Sequence, residues 1–174
     1  MLNDLLVIGT GISGLTFAIK VAEQNPKLKI TIISKGDISE GNTRYAQGGI
    51  AVVRNLKDDS IDKHVRDTII AGDGECDRSV VKFVVEEANA RLDELISWGA
   101  EFDMNKEQLD LGIEGGHSEK RIVHYKDQTG KQIQDVLTTK IKSFDNVNLL
   151  ENHTLVDLIT DHHSIEKKGR CYGA

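Results

Sequence analysis

Leu5-Leu6-Val7-Ile8-Gly9-Thr10-Gly11-Ile12-Ser13-Gly14 decides how this chain is read. Four apolar residues make a short buried strand, and three glycines turn it straight into a helix. Each glycine has its own task in a nucleotide-binding turn. Gly9 makes the tight turn, Gly11 lets the backbone approach a pyrophosphate, and Gly14 lets the helix pack close against the strand. The helix start over Gly11, Ile12 and Ser13 offers backbone N–H groups and the positive end of its dipole to phosphate. Leu15, Ala18, Ile19 and Ala22 follow at helical spacing. A Gly-rich turn of purely structural purpose would show the same letters. The apolar strand before it and the helix after it favour a dinucleotide site.

Working outward, Lys29-Ile30-Thr31-Ile32-Ile33-Ser34 is a second β-rich run, so the opening reads β-α-β, with Pro26 in the connecting turn. In an NAD-binding unit an acid near the end of this strand holds the ribose hydroxyls. Here the strand ends Ser34-Lys35-Gly36, and Asp37 lies beyond it. That argues against a simple NAD site.

The next segment, Asn42-Thr43-Arg44-Tyr45-Ala46-Gln47-Gly48-Gly49, is polar, Gly-rich and aperiodic, and closes in a β-like run over Ile50 to Val53. Such loops supply backbone N–H groups to ligands, or serve simply as surface turns. Ser60 to Gly72 reads as a helix capped by Ser60, with Ile61, Val65 and Ile69 on one face. Asp77 to Trp98 is the strongest helix, with Asp77 as cap and Gly99 after its end. Its expected apolar stripe is Val81, Val84, Val85, Ala88, Leu92, Leu95 and Ile96.

A polar, structureless stretch then leads to Glu114-Gly115-Gly116-His117-Ser118. A carboxylate and an imidazole around a paired-glycine turn suit a substrate loop; an exposed polar turn is the plainer alternative. His117 and His124 are not spaced as metal ligands, and no metal site is expected. Thr129 or Gly130 opens a further helix with Ile133, Val136, Leu137, Ile141 and Phe144 on one face. Val147 to Glu151 returns to the sheet as a third strand. Thr154 to Thr160 reads as a strand, Asp161 to Arg170 as a polar turn, and Cys171 to Ala174 as the start of another strand, the beginning of a β-meander.

Composition bounds the function class. The 174 residues carry a net charge of −6, with 15 acids against 6 bases between Asp58 and Asp110. An acidic middle argues against a nucleic-acid face. No apolar run approaches the roughly 20 residues of a membrane span, and no basic leader precedes the N-terminal apolar segment. Two cysteines, Cys76 and Cys171, make neither a disulfide framework nor a metal pattern, which points to the cytoplasm.

Taken together, these motifs resemble the flavoprotein family of succinate dehydrogenase, fumarate reductase and L-aspartate oxidase. The resemblance rests on Gly9 to Gly14, Ser34-Lys35-Gly36, and Asn42 to Ala51. It continues through Asp59-Ser60-Ile61-Asp62 with His64, Ile70-Ala71-Gly72, Cys76-Asp77, Glu114 to Ser118, and Asp127 with Thr129-Gly130. It covers nearly all of the chain and is strongest to the aspartate-oxidase branch.

The resemblance implies an α/β, Rossmann-type FAD-binding domain with a parallel sheet. It implies Gly9, Thr10, Gly11, Ile12, Ser13 and Gly14 at the pyrophosphate, Lys35 near the adenosine end, and Asn42, Thr43, Arg44, Tyr45, Ala46, Gln47, Gly48 and Gly49 around the flavin and its linker. Relatives with covalent FAD carry a histidine where Asn42 stands, and an amide cannot form that bond, so FAD is expected to be non-covalent. Glu114 replaces an aromatic residue of the succinate and fumarate enzymes. By resemblance it orients the substrate, accepting a hydrogen bond from an α-ammonium.

The implied reaction is oxidation of L-aspartate to iminoaspartate, with oxygen or fumarate as acceptor and quinolinate synthase using the product. A soluble fumarate reductase and a non-catalytic nucleotide-binding module are the alternatives. The catalytic arginine, capping domain and C-terminal helical domain are expected downstream of residue 174. The chain is therefore expected to be an N-terminal part (residues 1–174) of the FAD-binding domain, with no turnover and weak or no FAD retention alone.

Overall fold

The computed structural model describes residues 3–161 and 170–174. In chain order the elements are β1 (Leu5–Ile8), α1 (Ile12–Gln24), β2 (Ile30–Ile33), α2 (Asn42–Tyr45), β3 (Ile50–Ala51), α3 (Ile61–Ala71) and α4 (Arg78–Ser97). There follow β4 (Met104–Asn105), β5 (Gln108–Leu109), β6 (Leu111–Gly112), β7 (Ile122–Val123), α5 (Thr129–Lys142), β8 (Val147–Leu150), β9 (Ile159–Thr160) and β10 (Cys171–Gly173). They divide between two compact units, one of residues 1–42 and 137–174, the other of residues 43–136.

The first unit holds a parallel sheet in the order β1-β2-β8. Leu5 to Ile8 pair in register with Ile30 to Ile33, which pair in turn with Val147 to Leu150. The β-α-β reading holds because both of its signals are local. Alternation and β-branching make the strands, and Leu15, Ala18, Ile19 and Ala22 are the four residues that α1 buries. Ile30 and Ile32 are fully covered on the central strand, as expected for a strand with neighbours on both edges. β9 and β10 form an antiparallel pair, so the predicted meander start is present, though much of Thr154 to Ile159 lies outside any strand. The predicted turn from Asp161 to Arg170 falls mostly on residues 162–169, outside the described residues.

In the second unit α3 packs against α4. Ser60 caps α3 by accepting from the Lys63 amide at 3.2 Å, and Asp77 caps α4 by accepting from the Ser79 and Val80 amides. Two expectations change here. The apolar stripe of α4 is only partly covered: Val85, Leu92 and Leu95 are buried, whereas Val84 and Ile96 are exposed. Against α3 and its neighbours the long helix needs only a narrow seam, so the flanking valine and isoleucine stay outside. The stretch before Glu114 is also not structureless. It holds the β4–β5 hairpin and β6, and β3, β7 and β6 make a small antiparallel sheet. Strands of two residues are too short to show any period.

Candidate functional site

In the first unit the strand–turn–helix takes a form that admits glycine alone at two points. Gly9 sits at φ +100°, in the left-handed region. A Cβ on Gly14 would overlap the Gly9 carbonyl oxygen, so α1 comes down onto the end of β1. Helix α1 begins after Gly11 with no side-chain cap, and Gly11, Ile12 and Ser13 are exposed. Thr10 is buried, and its hydroxyl donates to Ser34 Oγ at 3.2 Å, tying the glycine turn to the end of β2. Lys35, the next residue, is exposed. The end of β2 therefore presents a hydroxyl and an ammonium in place of a carboxylate. Asn42 closes this part of the unit, also exposed.

In the second unit residues 43–49 start as the helical turn α2, then run exposed from Tyr45 to Gly48. This turn was not visible as a period, being a single turn long. The segment is held by α5. Gly130 N donates to the Ala46 carbonyl at 3.0 Å, and a Cβ on Gly130 would overlap the carbonyl oxygens of Thr43 and Ala46. Arg44 pairs with Asp135 of the same helix at 3.1 Å. Glu114 is exposed and lies against Gly48: a Cβ built there would meet its two carboxylate oxygens at 3.6 and 3.7 Å. The structure thus brings Glu114 to Gly48, sixty-six residues earlier in the chain.

Sequence reading missed what holds the Glu114 turn. Arg121, the residue just ahead of β7, is completely buried. Its Nε and Nη2 donate to Asp59 Oδ2 and Oδ1 at 2.9 and 2.8 Å, and its Nη1 donates to Asp67 Oδ2 at 2.7 Å and to His117 Nδ1 at 3.2 Å. The same Asp67 oxygen accepts from the Ser118 amide at 2.9 Å and hydroxyl at 2.7 Å. Burial pushes the Asp67 carboxyl up, but Ser118 and then Arg121 outweigh it and hold the group well below the usual carboxylate range. The buried His64 ring lies 5.6 Å from that of His117. The available signal was the pair of acids at Asp59 and Asp67, eight residues apart around the start and one face of a helix, with an arginine just before an apolar β run.

His124 has a separate partner, Asp103, at 3.0 Å. Among the described residues no three His, Cys, Asp or Glu side chains are grouped to hold a metal. Nor is any helix among them long and apolar enough to cross a membrane. A hollow in the second unit, bordered by Arg54, Lys57, Asp93, Lys106, Asp110 and Lys120, contains none of the candidate cofactor or substrate residues.

The FAD binding domain family matches residues 4–174. The chain belongs to that family. This FAD-binding domain is 42% identical over 166 residues to an L-aspartate oxidase of Yersinia pestis, a match covering 92% of the chain and 30% of the relative. It is 43% identical over 164 residues to the L-aspartate oxidase of Vibrio cholerae, covering 91% and 30%. Among solved structures it is similar to the quinol fumarate reductase of E. coli, with a TM-score of 0.87 and 29% identity over 92% of this chain and 27% of that one. A Mycobacterium smegmatis Sdh1 complex gives 0.84 and 28%, over 92% and 29%. The chain thus spans about 30% of the length of the curated relatives it matches.

The cofactor of the FAD-binding domain is FAD, and the first unit has features that suit it. The exposed, uncapped start of α1, reached through a turn closed to any Cβ at Gly14, is the cradle a diphosphate needs. The strand end, Ser34 and Lys35, places no carboxylate of its own there.

Proposed function

We propose that this chain contributes the FAD-binding part of an enzyme that oxidises L-aspartate to iminoaspartate, the first step of de novo NAD biosynthesis. The observation that carries the reading is the exposed Glu114 carboxylate against Gly48, in the segment assigned to the flavin. The naming of the relatives as L-aspartate oxidases supports it.

In this reading Gly9 to Gly14 receive the diphosphate through the backbone at the start of α1, with Lys35 near the adenosine end. Residues Asn42 to Gly49 surround the flavin and its linker, and Asn42 leaves the cofactor non-covalent because an amide forms no bond to it. Bound FAD supplies acceptance of a hydride from the substrate α-carbon. Glu114 accepts a hydrogen bond from the substrate α-ammonium, a charge-assisted contact that fixes which face of the α-carbon is offered. Gly130 and Asp135 hold residues 43–46 in place from α5. Oxygen or fumarate takes the electrons afterwards, and quinolinate synthase uses the product. We infer a cytoplasmic protein from the cysteine usage.

A second reading, a soluble fumarate reductase, draws on the likeness to the E. coli enzyme. The test is made on the full-length protein, scored for a flavin spectrum, aspartate-dependent peroxide formation and fumarate reduction. Flavin with aspartate oxidation supports the first reading. Fumarate reduction without aspartate oxidation replaces it with the second, and absence of flavin leaves a nucleotide-binding module of another kind.

A further inference from the structure

The turn that carries Glu114 connects β6 to β7, and most of it faces water: Glu114, Gly115, Gly116 and Ser118 are all exposed. A turn so exposed has little apolar surface of its own to fix its position. What fixes it is polar and buried. Arg121 N donates to the Gly112 carbonyl at 3.1 Å, closing the base of the turn, while the Arg121 side chain runs inward to Asp59, Asp67 and His117. Asp67 in turn receives both polar hydrogens of Ser118. Buried ion pairs of this kind add little net stability over well-packed apolar side chains, because desolvating the charges offsets their attraction. They do fix direction: a guanidinium has five donors in one plane, and here four contacts use them.

The His117 contact has a further chemical consequence. A guanidinium only donates, so His117 Nδ1 must accept, and the ring carries its proton on Nε2. The turn therefore holds an acceptor, the Glu114 carboxylate, and a donor, His117 Nε2–H, three residues apart.

We propose that Arg121 is a positioning residue for substrate recognition by Glu114, acting through Asp67–Ser118 and by setting the Nε2–H tautomer of His117. The proposal rests on the reading of Glu114 as the ammonium acceptor. Arg121 itself is out of reach of any ligand. Its loss should let the turn shift, which weakens recognition of a substrate that bears an ammonium more than of one that lacks it.

The experiment uses the full-length protein and its Arg121→Lys and Ser118→Ala variants, with KM and kcat measured for aspartate oxidation and for fumarate reduction. Lysine keeps the charge but loses the planar fork. Ser118→Ala removes one hydrogen bond from an exposed residue, so it remains informative where Arg121→Lys fails to fold. The expected result is a KM for aspartate that rises about tenfold more than the KM for fumarate in Arg121→Lys, with a smaller shift of the same sign in Ser118→Ala. Nitrogen-15 spectra of histidine-labelled protein, with His117→Gln assigning the signal, should show His117 Nδ1 unprotonated in the parent and a tautomer mixture in Arg121→Lys. Equal effects on both substrates in both variants, or an unchanged His117 signal, overturn the proposal while leaving the functional reading intact. A parent protein that does not oxidise aspartate overturns that reading, and the recognition role with it.

Discussion

Arg121 and Asp59 meet through two parallel hydrogen bonds of 2.9 and 2.8 Å, with both side chains almost wholly removed from water. They are 62 residues apart in the chain. The pair joins the segment ahead of α3 to the residue just ahead of β7, and so the Glu114 turn to the helical layer of its unit. Breaking such a pair from one side leaves a buried guanidinium short of charge. Asp59→Asn should therefore cost about 3 kcal/mol, read as a lowered urea midpoint. A loss below about 1 kcal/mol, the range of an exposed pair, would show the contact to be solvated.

Stability should fall with acid in two stages. Burial first, then the charge of Arg121, presses the His64 pKa below its ordinary value, against the opposing pull of Asp59 and Asp67. With the folded pKa depressed, the unfolded chain takes up the proton first, so stability is lost as pH falls below about 6.5. Asp67, held low by Ser118 and Arg121 against its burial, contributes stability above about pH 4 that disappears below it. A series of Tm values against pH should bend twice, and His64→Leu should flatten the upper bend. A wild-type Tm constant between about pH 7 and about pH 5 counts against the assignment.

Gly14→Ala should strip flavin from the full-length protein. The added methyl meets the Gly9 carbonyl, so either α1 or the end of β1 must move, at about 1–3 kcal/mol. Both are parts of the proposed diphosphate cradle. Retention of stoichiometric flavin in this variant would remove the turn from the binding site.

Gly130→Ala sets two effects against each other. Alanine favours a helix over glycine by roughly 0.5–1 kcal/mol. The overlap with the backbone oxygens of Thr43 and Ala46 cannot be relieved by a rotamer change, so the clash should win and the protein should be destabilised. Flavin affinity should fall with stability, because the displaced segment is the one assigned to the flavin. Higher thermal stability with normal flavin content would show that the segment yields freely.

Glu114→Gln keeps the shape of the side chain and removes its charge. A hydrogen bond to a charged group is worth roughly 1.5–3 kcal/mol, so the KM for aspartate should rise at least tenfold while that for fumarate stays near the parent value. A parallel rise in both is the outcome of a general disturbance of the turn.

Local physics made much of this protein readable from its letters. The strand, glycine turn and helix from Leu5 to Gln24 are encoded by neighbours within four residues, and the core face of α1 consists of the four residues its spacing singles out. The caps at Ser60 and Asp77 are equally local, each acting on an amide two or three residues ahead. The family was legible by resemblance, carried less by the glycine turn than by the Asn42 to Ala51 and Glu114 to Ser118 motifs.

Only the tertiary structure decided where the charges went. A single arginine among 22 basic residues carries no sign that it is the buried one; Asp59 and Asp67 make it so from 62 and 54 residues away. The same holds for the exposed Val84 and Ile96 of the α4 stripe and for the two-residue strands around β7, whose partners are chosen by packing after the chain has closed. Periodicity reports which face of an element prefers to be covered. What covers it, and which polar groups must be paired once water is excluded, is fixed by contacts between distant segments.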